Sequence, residues 1–128
     1  MKVESARIIE SGFDKAVARV VDALKGEGFG VLTDIDVAAT MKQKLGIEFR
    51  PYRILGACNP PLAHKALTAE DKVGVILPCN VIVQEAGAGK VEVAAIDPRA
   101  AMERAGNPAL TDLANEVADK LTRVVSAI

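Results

Sequence analysis

At 128 residues, half of them hydrophobic, this chain can bury a core of its own as one domain without a staple. Sixteen basic residues against seventeen acidic leave a net charge of −1 with no long single-sign run, which excludes the basic face that nucleic acids and anionic membranes require. Only 3 % of the residues are aromatic, namely Phe13, Phe29, Phe49 and Tyr52, so the core must be aliphatic and no stacking platform for bases exists.

The opening Met1-Lys2-Val3-Glu4 lacks the apolar stretch of a signal peptide, and the longest uncharged run, Val73 to Gln84, is too short to span a bilayer and contains Pro78. A cytoplasmic protein without a membrane partner is expected. In that compartment its two cysteines, Cys58 and Cys79, are expected to be reduced thiols.

Val3 to Glu10 alternates weakly as a strand. Ser11, with Asp14 three residues on, approximates a capping box and predicts a helix carrying Phe13, Val17, Val20, Val21 and Leu24 at helical spacing, ended by Gly26 or Gly28. Phe29 to Ile35 reads as a strand. Asp36 then caps a short helix through Leu45, with Val37, Met41 and Leu45 as its apolar stripe and Gly46 at its end. Phe49 to Cys58 is the next strand, and Pro51 confines it to a sheet edge or to a bulge near its start.

Asn59-Pro60, Asp97-Pro98 and Asn107-Pro108 each place a capping side chain before a proline suited to the first helical position, so three helices are expected to begin there. Between the first two lies a hairpin, Cys79 to Glu85, a Gly87-Ala88-Gly89 turn, and Val91 to Ile96. Leu110, Leu113, Val117, Leu121, Val124 and Ile128 form one continuous face of a helix over 108–128. The expected class is α+β, a single domain over 1–128 with an antiparallel sheet, helices on one face and a long C-terminal helix. The other face then needs a partner wherever it is apolar.

The stretches Gly28-Phe29-Gly30-Val31-Leu32-Thr33-Asp34-Ile35-Asp36, Tyr52-Arg53-Ile54-Leu55-Gly56-Ala57-Cys58-Asn59-Pro60, Leu77-Pro78-Cys79-Asn80-Val81 and Ile96-Asp97-Pro98 together resemble the domain of unknown function 302 family. The resemblance implies a fold like that of the TATA-box-binding protein, a curved antiparallel sheet with helices packed on it, and a homodimer. The family has no agreed activity, so the resemblance assigns no catalytic role and leaves the cofactor unknown.

The chemistry-bearing residues each have two readings. Cys58 precedes a helix whose N-terminal dipole would favour a thiolate, yet a free cysteine also fills a strand–helix junction as a small apolar group. Cys79, after Pro78, is a packed thiol unless the two strand ends are neighbours. Cys58 and Cys79 would then share one corner suited to a soft metal or a reversible disulfide, with Asn80 as a further contact. A structural zinc site needs four ligands at paired spacings, and the chain has two cysteines and one histidine, His64, which reads as a surface residue. Asp34, Asp36 and Asp97 could be paired carboxylates, though each also suits a turn or a cap. Arg50, Tyr52 and Arg53 could grip an anion, or simply guard an edge strand. The expectation is a small cytoplasmic homodimeric binding module with a ligand or thiol site near Cys58 and Cys79, and with Asn80, Asp97 and Tyr52 as candidate contacts. A thiol-dependent enzyme or redox sensor and a partner-binding domain without a small-molecule site are the alternatives.

Overall fold

The computed structural model describes every residue except Lys2 and Glu4. In chain order it contains β1 (Ser5–Glu10), α1 (Phe13–Gly26), β2 (Gly30–Asp36), α2 (Val37–Leu45), β3 (Tyr52–Cys58), α3 (Pro60–Ala69), a single 3-10 turn (Val73–Ile76), β4 (Cys79–Glu85), β5 (Lys90–Ala95), α4 (Pro98–Glu103) and α5 (Leu110–Ala127). The strands form one open sheet in the order β1-β5-β4-β3-β2, with every neighbouring pair antiparallel. The α+β class read from the sequence is the class observed.

Alternation along the strands decides which side the helices cover. On β4, Cys79, Val81 and Val83 are buried, while Asn80, Ile82 and Gln84 between them are exposed or half-buried. Val91, Val93 and Ala95 continue the buried set on β5. Against this face lie Val20 and Leu24 of α1 and Leu121, Val124 and Val125 of α5, closing one aliphatic core. A second, smaller cluster joins Ala66 of α3, Val73, Met102 of α4, and Leu110 and Ala114 of α5. The long C-terminal helix therefore belongs to both clusters and ties them together.

Local chemistry sets most boundaries. The Asp36 carboxylate accepts from the Ala39 N–H at 2.9 Å, and Gly46, at φ +65°, closes α2 in the left-handed region where a side chain would be strained. Asn59 and Asp97 cap α3 and α4, each followed by its proline. Gly56 has no space for a Cβ, which would collide with the Thr33 Oγ1 and lie 2.8 Å from the Pro78 Cγ. That close approach packs the β2–β3–β4 junction tightly on the face away from the helices.

Several expectations are corrected. Ser11 caps nothing. Its N–H donates to the Gly89 carbonyl at the hairpin turn, which keeps it with the sheet, and Gly12 begins α1 without a side-chain bond. The strand expected from Val3 starts at Ser5, and Glu4 within the expected span lies outside the described residues. β3 starts at Tyr52 and is an interior strand. Pro51 stands just outside it, where its missing N–H costs no ladder bond and its carbonyl accepts from the Glu85 N–H. Asn107-Pro108 opens a turn before α5, with Leu110 N–H bonded to the Asn107 carbonyl, so the helix has 18 residues and measures about 27 Å. The apolar stripe of α2 is only partly covered: Val37 and Met41 are half-buried and Leu45 is exposed.

Leu121 is completely buried between the sheet and α1. Leu121→Ala is expected to lower unfolding free energy by about 2–5 kcal/mol in denaturant melts, from lost transfer energy plus the cavity left behind. A loss on the scale of an ordinary surface change, about 0.5 kcal/mol, would show that α5 is peripheral to stability.

Candidate functional site

The end of β3, the start of β4 and the N-terminus of α3 meet at one corner of the sheet. Ala57 pairs with Cys79, Gly56 with Asn80, and Cys58 with Gly30 of β2. Cys58 is thus one residue beyond the partner of Cys79, and the two strand ends are neighbours. Strand parity separates the side chains. Cys79 shares the helix-facing parity of Ala57, whereas Cys58 has the opposite parity, at the last position before the chain turns into α3.

A small cavity of about 30 Å³ lies here, walled by both cysteines together with Phe29, Leu62, Leu77 and Met102, among others. Asn59 also borders it but is fully engaged. Its Oδ1 accepts from the Leu62 N–H at 3.4 Å and its Nδ2 donates to the Glu27 carbonyl at 3.3 Å, joining the start of α3 to the end of α1. The remaining wall is apolar.

Both thiols are free of disulfide bonds. Cys58 is half-buried; Cys79 is 6 % exposed. Burial pushes the Cys79 thiol up to about 11, and the like charge of a nearby Cys58 thiolate adds to the effect. Cys79 is consequently a neutral thiol near pH 7, and nucleophilic attack from it is disfavoured.

Of the other candidates, Asn80 lies opposite Gly56 with its side chain exposed, and its carbonyl accepts from the Ile96 N–H at 3.1 Å. Asp97 is occupied as the cap of α4, accepting from the Arg99 N–H at 2.9 Å and the Arg99 Nε at 3.1 Å, and it borders a separate surface hollow with Ile76 and Arg104. Tyr52 pairs with Gln84 at the far end of β3, about 20 Å of extended chain from Cys58, and does not join the corner. There the Arg50 guanidinium lies 4.7 Å from the Phe49 ring centre and 5.6 Å from that of Tyr52, and its Nε donates to the Gln84 Oε1. Asp34 holds Arg53 in a two-point ion pair, its Oδ1 accepting from the Arg53 Nε at 2.7 Å, which keeps the Asp34 carboxyl below the usual carboxylate range. His64 is exposed, as expected.

Among the described residues no group of three His, Cys, Asp or Glu side chains could hold a metal. Met102 was not anticipated at this corner. The available signal was its position four residues after Pro98, which places both on the buried face of the short α4.

The model of the family described as Domain of unknown function DUF302 matches residues 4–128. A crystal structure of an uncharacterized conserved protein DUF302 from Bacillus stearothermophilus is similar to this chain at a TM-score of 0.88 and 28 % identity, covering 96 % of this chain and 95 % of that one. No curated protein matches.

Two outcomes follow for the thiols. Maleimide labelling of the native protein near neutral pH, mapped by peptide mass, should modify Cys58 well before Cys79; equal rates would show that burial does not protect Cys79. The folded Cys79 thiol ionises near 11 and an unfolded cysteine near 9, so the unfolded chain loses its proton first. The corresponding stability is intact below pH 9 and lost as pH rises toward 11, on the order of 2–3 kcal/mol. Comparing the pH dependence of unfolding with that of Cys79→Ala isolates this contribution, and identical slopes would rule it out.

Proposed function

This chain belongs to the DUF302 family, and on that premise we propose that it is a dimeric binding module whose site is the corner at Cys58 and Cys79. The observation that carries this reading is the cavity whose wall both cysteines share, Cys58 half-buried and Cys79 fully buried. At about 30 Å³ the cavity is roughly a tenth of the smallest usual organic-ligand pocket, so the guest is an ion or a very small thiol-reactive group. Asn80 is the further contact at the outer side of the corner. Strand parity argues against a disulfide between the two thiols, which disfavours the redox-sensor reading. Two free thiols fit a cytoplasmic setting, and a net charge of −1 fits a protein without a nucleic-acid partner. Among the described residues no helix is long and apolar enough to cross a membrane.

The dimer is supported by the sheet face that the helices leave open. Register aligns Ala6, Ala94, Ile82, Ile54 and Ile35 in one row across all five strands on that face. Ile8 and Ile35 on that face are 58 % and 47 % exposed, far above what a core residue shows. A two-fold axis through Ile82, the midpoint of the row, would lay one row on another and withdraw both from water.

Light scattering at micromolar concentration should return the dimer mass, and Ile82→Glu the monomer mass; a monomeric parent protein removes the dimer. For the corner, methyl methanethiosulfonate should modify native Cys58 and shift the amide resonances of Asn59, Leu62 and Leu77. If both thiols stay unmodified until denaturant is added, the corner serves packing alone.

A further inference from the structure

The chain has five sulfur-bearing side chains, two cysteines and three methionines, and three of them wall one cavity. Cys79 and Met102 come from different elements, β4 and α4, and are 6 % and 5 % exposed. Cys58 stands at the half-buried end of β3. The rest of the wall is Phe, Leu, Val and Ala, apart from Asn59, whose side-chain polar atoms are spent on Leu62 and Glu27.

This composition excludes most guests. A resident water needs two to four polar partners, which the wall does not supply. Calcium and magnesium need a cage of oxygens, and zinc needs three or four nitrogen, sulfur or carboxylate ligands. Organic ligands do not fit the volume. Thiolate and thioether sulfurs in apolar surroundings select soft cations of low coordination number.

We propose that the cavity holds a single soft monovalent cation, Cu(I) or Ag(I), between the Cys79 Sγ and the Met102 Sδ, with Cys58 as the thiol that the incoming ion meets first. The proposal rests on the corner being a binding site. As the metal–Sγ bond forms, the Cys79 proton leaves to water. The metal keeps its oxidation state, and the ion and thiolate together carry no net charge into the apolar wall.

The test uses the full chain, anaerobic Cu(I) against a chromogenic chelator, and Ag(I) as a redox-inert replacement. One ion per chain is expected. Met102→Leu, nearly volume-conserving, should weaken binding by about tenfold or more, and Cys79→Ser by about a hundredfold or more. Cys58→Ser should slow uptake while leaving the affinity within about threefold of the parent. Ion binding that is lost in Cys58→Ser and unchanged in Met102→Leu overturns the assignment in favour of a surface thiol. Absence of uptake while methyl methanethiosulfonate still modifies Cys58 overturns the ion and leaves the corner as a site. Absence of both overturns the two readings together.

Discussion

Everything in this molecule depends on one seam, the contact of α1 and α5 with the helix-facing side of β4 and β5. Val81, Val83, Val93, Leu24 and Leu121 are wholly withdrawn from water there. The chain has four aromatic residues in all, so this seam is built from short branched side chains. Such chains fill space only when the layers approach closely, and their limited rotamer freedom gives little slack to absorb a misfit. The seam also fixes which parity of every strand is inside, and so which residues are left on the opposite face.

That inside–outside choice generates both features of functional interest. By turning one parity of each strand inward, it carries Cys79 into the helical layer and leaves Cys58 with the opposite parity one residue beyond the partner of Cys79. It also leaves the row from Ala6 to Ile35 on the opposite face of the sheet. The corner cavity forms where the seam stops. At the ends of β3 and β4 the sheet yields to α3, α4 and the upper half of α5, and small side chains such as Ala57, Ala63 and Ala66 leave a gap between them. α5 spans both clusters, so the cavity wall is held by the same helix that holds the main core.

Much of the fold was legible because its signals act over a few residues. Asp36, Asn59 and Asp97 cap helices within three positions of themselves, and the Gly87-Ala88-Gly89 turn joins adjacent strands. The misreadings concern contacts between segments distant in sequence. Ser11 is held by the carbonyl of Gly89 rather than capping α1. The stripe on α2 has the correct spacing, yet Val37 and Met41 are only half-buried and Leu45 is exposed. The candidate site was legible as two cysteines flanked by Asn and Pro, while Tyr52 and Asp97 were grouped with them on residue type alone.

By itself the sequence determined the order and type of the main elements, the caps at Asp36, Asn59 and Asp97, the aliphatic core and the near-neutral charge. These follow from backbone hydrogen bonding and side-chain periodicity, which any local stretch of chain expresses. Only the tertiary structure decided that β1 closes against β5 rather than β2, that β3 is interior, and that Met102 borders the same cavity as Cys58 and Cys79. Those outcomes depend on which apolar faces meet when the chain collapses. Burial is a property of the whole packed layer, and no single segment carries it.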